Sequence, residues 1–218
     1  MPYSMVIVRL LFDMKPFQLF VVLTFLCPAK KVYALPNDCM QTEDSVIVPI
    51  ELKPFIPKGY TFLYAQNGDL NLDGIADVLL VIEFNNQAVV NDSTEAEMDQ
   101  GTRPLLLLTR DSLNQLNLVK RNDNTVLCKE CGGVWGDPFQ GIAVKNGYFS
   151  VEHYGGSNWR WTSIITYKFN KQKGDWFLHK VGSESYSIFD PDKVETEIKT
   201  VNDFGVIKLE DYNIYTED

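Results

Sequence analysis

Residues 68–83, G-D-L-N-L-D-G-I-A-D-V-L-L-V-I-E, constrain this chain more than any other stretch. They join an acidic turn to an unbroken apolar run. Asp69, Asn71, Asp73 and Asp77 stand at positions 1, 3, 5 and 9 of the turn, and Gly74 follows the third of them. In a tightly curved loop alternate residues point inward, so positions 1, 3 and 5 converge. Gly74 supplies the backbone freedom to reverse the chain around that point. Residues 78–82 carry no polar side chain, which predicts a strand buried on both faces.

Converging carboxyl and amide oxygens repel one another unless a cation or a donor sits among them. A hard cation such as Ca2+ takes roughly six to eight oxygens at short range. Position 7, Ile75, offers its backbone carbonyl. An EF-hand loop would place a bidentate Glu at position 12. Here that position is Leu80, inside the apolar run, so a strand and not a helix leaves the loop. The competing reading is a hairpin turn rich in Asp, Asn and Gly that holds no ion.

The pattern resembles the calcium loops of FG-GAP (integrin-type) and VCBS repeats, which read D-x-[DN]-x-D-G-x-x-D ahead of a strand. The resemblance covers one short repeat, residues 68–83. It implies Ca2+ held by the side chains of Asp69, Asn71, Asp73 and Asp77 and by the carbonyl of Ile75.

The start of the chain reads as an export signal. Met14-Lys15 opens it and is the expected true start. Residues 17–27 form an apolar core too short for the roughly 20 residues of a membrane span. Val32-Tyr33-Ala34 places small residues for cleavage before Leu35. The expected compartment is therefore periplasmic or secreted, with no membrane span after cleavage. The whole chain has 218 residues and a net charge of −9. Residues 1–34 carry Arg9, Lys15, Lys30 and Lys31 against Asp13, so the remainder is more acidic still. That argues against nucleic acid as a partner. Cys39, Cys128 and Cys131 remain after cleavage. In an oxidising compartment Cys128-x-x-Cys131 closes on itself, or Cys39 bridges to one of them.

The expected fold is all-β. Residues 35–59 read as a leader with an edge strand over 45–52. Residues 60–186 read as the β domain, in two propeller-blade-like halves, 60–124 and 139–186. The first half divides into strands at 60–66, 77–84, 104–110 and 115–121. A polar excursion lies over 85–103, with a short helix at 94–98. The second half divides into strands at 141–144, 148–154, 159–169 and 175–183, and Asn146-Gly147 is a strong hairpin signal. These are antiparallel up-and-down meanders, two four-stranded sheets packed together. Residues 187–218 read as an acidic tail packing on the domain, with an edge strand or short helix at 206–209.

Two glycine-aromatic phrases stand out in the second half, C-G-G-V-W-G-D-P-F at 131–139 and H-Y-G-G-S-N-W-R-W at 153–161. Glycine pairs allow close backbone approach, and Trp, Tyr and Arg are common at recognition surfaces. Trp135, His153, Tyr154, Asn158, Trp159 and Arg160 are the candidate binding residues, with a glycan or a protein as ligand. Tight turns and core aromatics are the alternative. With R-P-L-L-L at 103–107, these phrases also resemble a group of exported bacterial proteins with no assigned activity. The functional expectation is an exported, calcium-binding, β-rich binding or structural module. The rival is a periplasmic enzyme, a thiol-disulfide oxidoreductase at Cys128 and Cys131 or a hydrolase using His153. No nucleophile, zinc or phosphate-loop motif supports the rival.

Overall fold

The computed structural model describes residues 48–85 and 101–216. The expected signal segment, the leader with Cys39, and the short helix at 94–98 lie outside the described residues. All described residues belong to one compact unit. Among the described residues, nine strands form two antiparallel sheets, each in simple sequence order. The first sheet holds β1 (Tyr60–Gly68), β2 (Asp77–Phe84), β3 (Leu105–Arg110) and β4 (Leu116–Asn122). The second holds β5 (Phe139–Lys145), β6 (Tyr148–Gly156), β7 (Trp159–Asn170), β8 (Asp175–Ser187) and β9 (Asp190–Thr200). Among the described residues, no helix is long and apolar enough to cross a membrane.

The apolar runs of β2 and β3 divide between two cores because successive side chains of a strand point to opposite faces. Leu79, Val81, Leu105 and Leu107 face the second sheet. There they meet Phe149, Val151, Ile165, Tyr167 and Trp176. Val78, Leu80, Ile82, Leu106 and Leu108 face the other way and are sealed by Leu52. The two central strands are thus buried on both sides, as their composition requires. β6 alternates instead: Phe149, Val151 and His153 are buried, while Ser150, Glu152 and Tyr154 keep partial access. That alternation marks a sheet with one free face.

Three expectations are corrected. The edge strand expected over 45–52 is not formed in its described part; Ile50–Phe55 is a 3-10 helix. Pro49, Pro54 and Pro57 deny a strand its donors, while Leu52 N donates to Pro49 O at 3.0 Å. Second, the second sheet has five strands, not four. β9 lies in the segment expected to be a tail, paired with β8 from Lys180↔Thr200 to Ser187↔Asp190. Its residues Val194, Thr196 and Ile198 carry the period-2 β-branched pattern. Third, residues 206–209 form only a single bridge, Phe177↔Lys208, before a 3-10 turn at Leu209–Asp211. This last segment is firmly held. Leu209 and Tyr212 are buried, and Asn122 Nδ2 donates to both their carbonyls, at 2.6 and 2.8 Å.

Candidate functional site

The acidic loop connects β1 to β2. Its path turns through Leu72 (φ 62°) and Gly74 (φ 88°), both left-handed. Asp69 Oδ1 and Asn71 Oδ1 both accept from the amide of Asp73, at 3.1 and 3.0 Å. Asp69 Oδ2 accepts from Gly74 N at 3.0 Å, and Asp73 Oδ1 from Ile75 N at 2.8 Å. Asn71 Nδ2 donates to Asp73 Oδ2 at 2.7 Å. Three of the four expected side chains therefore meet at one turn, and backbone amides relieve their mutual repulsion.

Asp77 shares none of these hydrogen bonds and turns its carboxyl into the fold. It is fully buried, with Oδ2 accepting from Leu70 N and Oδ1 from Arg110 N, each at 2.9 Å. Burial pushes its carboxyl above the ordinary value, the two amides oppose this, and the charge of Asp73 adds to the rise. Asp77 thus ties the loop to the end of β3. Among the described residues, no three acidic, His or Cys side chains gather as a metal cage. The donor set is nevertheless all oxygen. A carboxylate oxygen that accepts one amide keeps a second lone pair, so the residues present fit a hard cation by their chemistry.

The loop also joins the sheets. Leu70 is buried, and its carbonyl accepts from Trp176 Nε1 of β8 at 3.1 Å. Leu72 packs on the β5–β6 turn so closely that a Cβ on Gly147 would lie 2.9 Å from Leu72 Cγ.

The second candidate cluster separates into three places. Trp135, 55% exposed, lies under the Arg160 guanidinium at 4.6 Å from its ring centroid and edge-on to Tyr154 at 5.8 Å. Arg160 Nη1 also donates to Gly156 O at 3.2 Å. The two glycine phrases build this patch by packing together. Gly156 N donates to Gly132 O at 2.9 Å, and a Cβ on Gly155 would lie 2.5 Å from the Trp161 ring. Trp159 and Asn158 are exposed in and beside the β6–β7 turn. Strand alternation sends Trp159 to the face opposite Arg160, so it does not join Trp135.

His153 is neither at the surface nor in the patch. It is 2% exposed, and its Nε2 accepts from Leu127 N at 3.2 Å. Burial first, then the charge of Arg103, lowers its pKa to about 4. It is a neutral core imidazole at pH 7, which removes it both as a recognition residue and as an accessible base.

Cys128 and Cys131 form a disulfide, with Cα atoms 5.1 Å apart, within the ordinary range. It closes the loop that leads to Trp135. Beside it lies a charged centre that the sequence reading did not assign. Arg103 is 1% exposed and meets Asp137 bidentately, Nη1 to Oδ1 at 2.6 Å and Nη2 to Oδ2 at 2.7 Å. Its Nε donates to Glu83 Oε2 at 2.9 Å, Nη2 pairs with the same oxygen, and Nη1 donates to Leu127 O at 3.3 Å. Burial would raise the Asp137 carboxyl, but the Arg103 guanidinium and the Phe139 amide outweigh it and hold it below its ordinary value. The available signal was an arginine two residues before the four-leucine run that opens β3, a charge that needs partners.

Fold and site together define an all-β protein of two antiparallel meanders, joined at an acidic loop and stapled by a buried arginine. No family model, no curated protein and no solved structure matches the chain.

Proposed function

We propose that this is an exported, calcium-binding β module in which Ca2+ at residues 69–77 locks the joint between the two sheets. The observation that carries the reading is the shared approach of Asp69 Oδ1 and Asn71 Oδ1 to the amide of Asp73, inside a turn with two left-handed residues. Asp69, Asn71 and Asp73 would hold the ion through side-chain oxygens, with Ile75 contributing its carbonyl. Asp77 would orient the loop from beneath, through the amides of Leu70 and Arg110. Bound Ca2+ would supply positive charge where amides now stand alone against the carboxylates. The gain passes to the fold because Leu70, Leu72 and Asp77 couple the loop to Trp176, Gly147 and Arg110. An extracellular site of this kind works at a Kd on the order of 10−4 to 10−3 M. At a hundredfold excess over Kd, linkage adds about 2.7 kcal/mol of stability. Export is supported by the apolar segment at 17–27 and by the closed disulfide, which suits an oxidising compartment.

The test is a Ca2+ titration followed by thermal melting. A saturable rise in Tm is expected in the wild type, with little rise for Asp69→Asn/Asp73→Asn. No shift, together with no bound metal by elemental analysis, overturns the reading. Sequencing of the mature N-terminus tests export; the expected first residue is Leu35.

The exposed Trp135 face favours a second element, recognition of a glycan by Trp135, Tyr154 and Arg160. Aromatic faces bracketed by donors suit sugar rings. Trp135→Ala should abolish retention on any glycan the wild type binds in an array, and silence of the wild type across the array removes this element.

A further inference from the structure

We propose that the hollow between the β7–β8 turn and α1 (Val201–Phe204) is a binding site for a small organic carboxylate with one compact apolar body. The hollow has a volume of about 220 Å3. That is below the roughly 300 Å3 at which drug-sized sites begin, so its occupant is small. Phe177, Leu178, Val201 and Val206 give it apolar walls, and Lys168 and Lys173 stand among its lining residues.

The walls are open to a partner. Val201 is 49% and Val206 68% exposed, two apolar side chains left in water in the lining of one depression. The cations are open too. Lys173 Nζ lies 4.8 Å from the Phe177 ring centroid, and Lys168 Nζ lies 5.0 Å from that of Tyr148. Among the described residues neither lysine pairs with a carboxylate. The carboxylates of the flanking segments are already engaged. Asp175 is held by Lys120 at 2.9 Å and by Lys208 at 3.2 Å. Asp203 Oδ2 accepts from the amide and hydroxyl of Thr200, at 2.7 and 3.1 Å, closing the capping box of α1.

His179, also in the lining, senses the same field. Burial and then the charges of Lys168 and Lys180 hold its imidazole below its ordinary pKa. A locally cationic, apolar-walled hollow in a chain of net charge −9 is complementary to an anion that also carries apolar surface. Acetate lacks that surface, and a neutral alcohol lacks the charge.

The experiment titrates the full chain with benzoate, followed by amide shifts in NMR, with benzyl alcohol and acetate as comparisons. Benzoate should shift the amides of Phe177, Val201 and Val206 saturably. The two comparison compounds should bind at least tenfold more weakly. Lys168→Gln/Lys173→Gln should weaken benzoate at least tenfold with an unchanged melting point, since both lysines are exposed. Val206→Glu, a second surface change, should do the same by repulsion. The proposal is overturned by an absence of saturable shifts, by equal binding of benzyl alcohol, or by wild-type affinity in the lysine double variant.

Discussion

The two sheets share one topology and differ in how they bury it. In the first sheet, β2 and β3 are covered on both faces, by the second sheet on one side and by the Leu52 helix on the other. In the second sheet, β6 and β7 are covered on one face only, and β9 is exposed along most of its length. Two sets of charged groups show a parallel contrast. Asp77, which opens β2, and Arg103, two residues before β3, are buried and partnered within the fold. Arg160, Lys168 and Lys173, on the second sheet, lie against aromatic rings and remain open to solvent on one side. Interior charge here serves architecture, and the second sheet carries cations that rest on aromatic rings at its surface.

The comparison is broken most directly at Arg103. Arg103→Ala removes the shared cation from Glu83 and Asp137, and breaking a buried pair in this way costs about 3–5 kcal/mol. Glu83 and Asp137 keep part of their side chains in water, which favours the lower end. Urea unfolding measures it, and a loss below about 1 kcal/mol would mean the centre is not structural. Next in size is a pair of apolar truncations. Leu107→Ala, between the sheets, should cost about 2–5 kcal/mol. Ile164→Ala, on the free face and 39% exposed, should change stability by about 0.5 kcal/mol or less. Equal losses would erase the distinction between the sheets.

The same distinction explains what could be read from the residues beforehand. Strands at 77–84 and 104–110 were legible because burial on both faces writes an unbroken apolar run. Strands at 148–154 and 159–169 were legible from alternation and from Asn146-Gly147. β9 was missed because an exposed edge strand carries charge on most positions and opens on Asp190-Pro191, which reads as a break. The helix at Ile50–Phe55 was not legible because the β-branched residues Val46, Ile47, Val48 and Ile50 carry a strand signal, and Pro49 suits an edge strand as well as a helix start. At the loop, spacing placed Asp69, Asn71 and Asp73 together, but the local pattern could not show that Asp77 turns inward to Leu70 and Arg110. Nor could it pair Arg103 with Asp137, 34 residues away, or bring His153 into the core beside Phe139.

His153 gives a pH test of that interior. Its folded pKa of about 4 lies below the ordinary 6.5, so the unfolded chain takes up a proton the folded one refuses. Its contribution is complete above pH 6.5 and is lost as pH falls from there to about 4. The loss is roughly 3 kcal/mol in full. His153→Gln should flatten the stability profile across that window, as read from urea midpoints at pH 7 and 4.5. The Asp137 carboxyl, held low by Arg103, adds a separate loss only at lower pH, below its unfolded value of about 3.9. A profile unchanged by His153→Gln would mean that the imidazole is hydrated in solution and not part of the core.

The smallest expected effect tests whether the exposed edge belongs to the same cooperative unit. Thr200 caps α1, accepting from Asn202 N at 3.4 Å while Asp203 Oδ2 accepts from Thr200 N. Thr200→Ala removes half of this reciprocal box, which costs about 1 kcal/mol at a typical cap. β9 shares hydrogen bonds with β8 but contributes nothing to either core. Local opening at this end therefore needs less free energy than global unfolding. The loss should appear as faster amide exchange at Asn202 and along the end of β9, with the Tm of the core nearly unchanged. A global loss as large as that of Leu107→Ala would show instead that the edge is coupled to the centre through β8. The free face would then respond as a whole to anything bound at either of its ends.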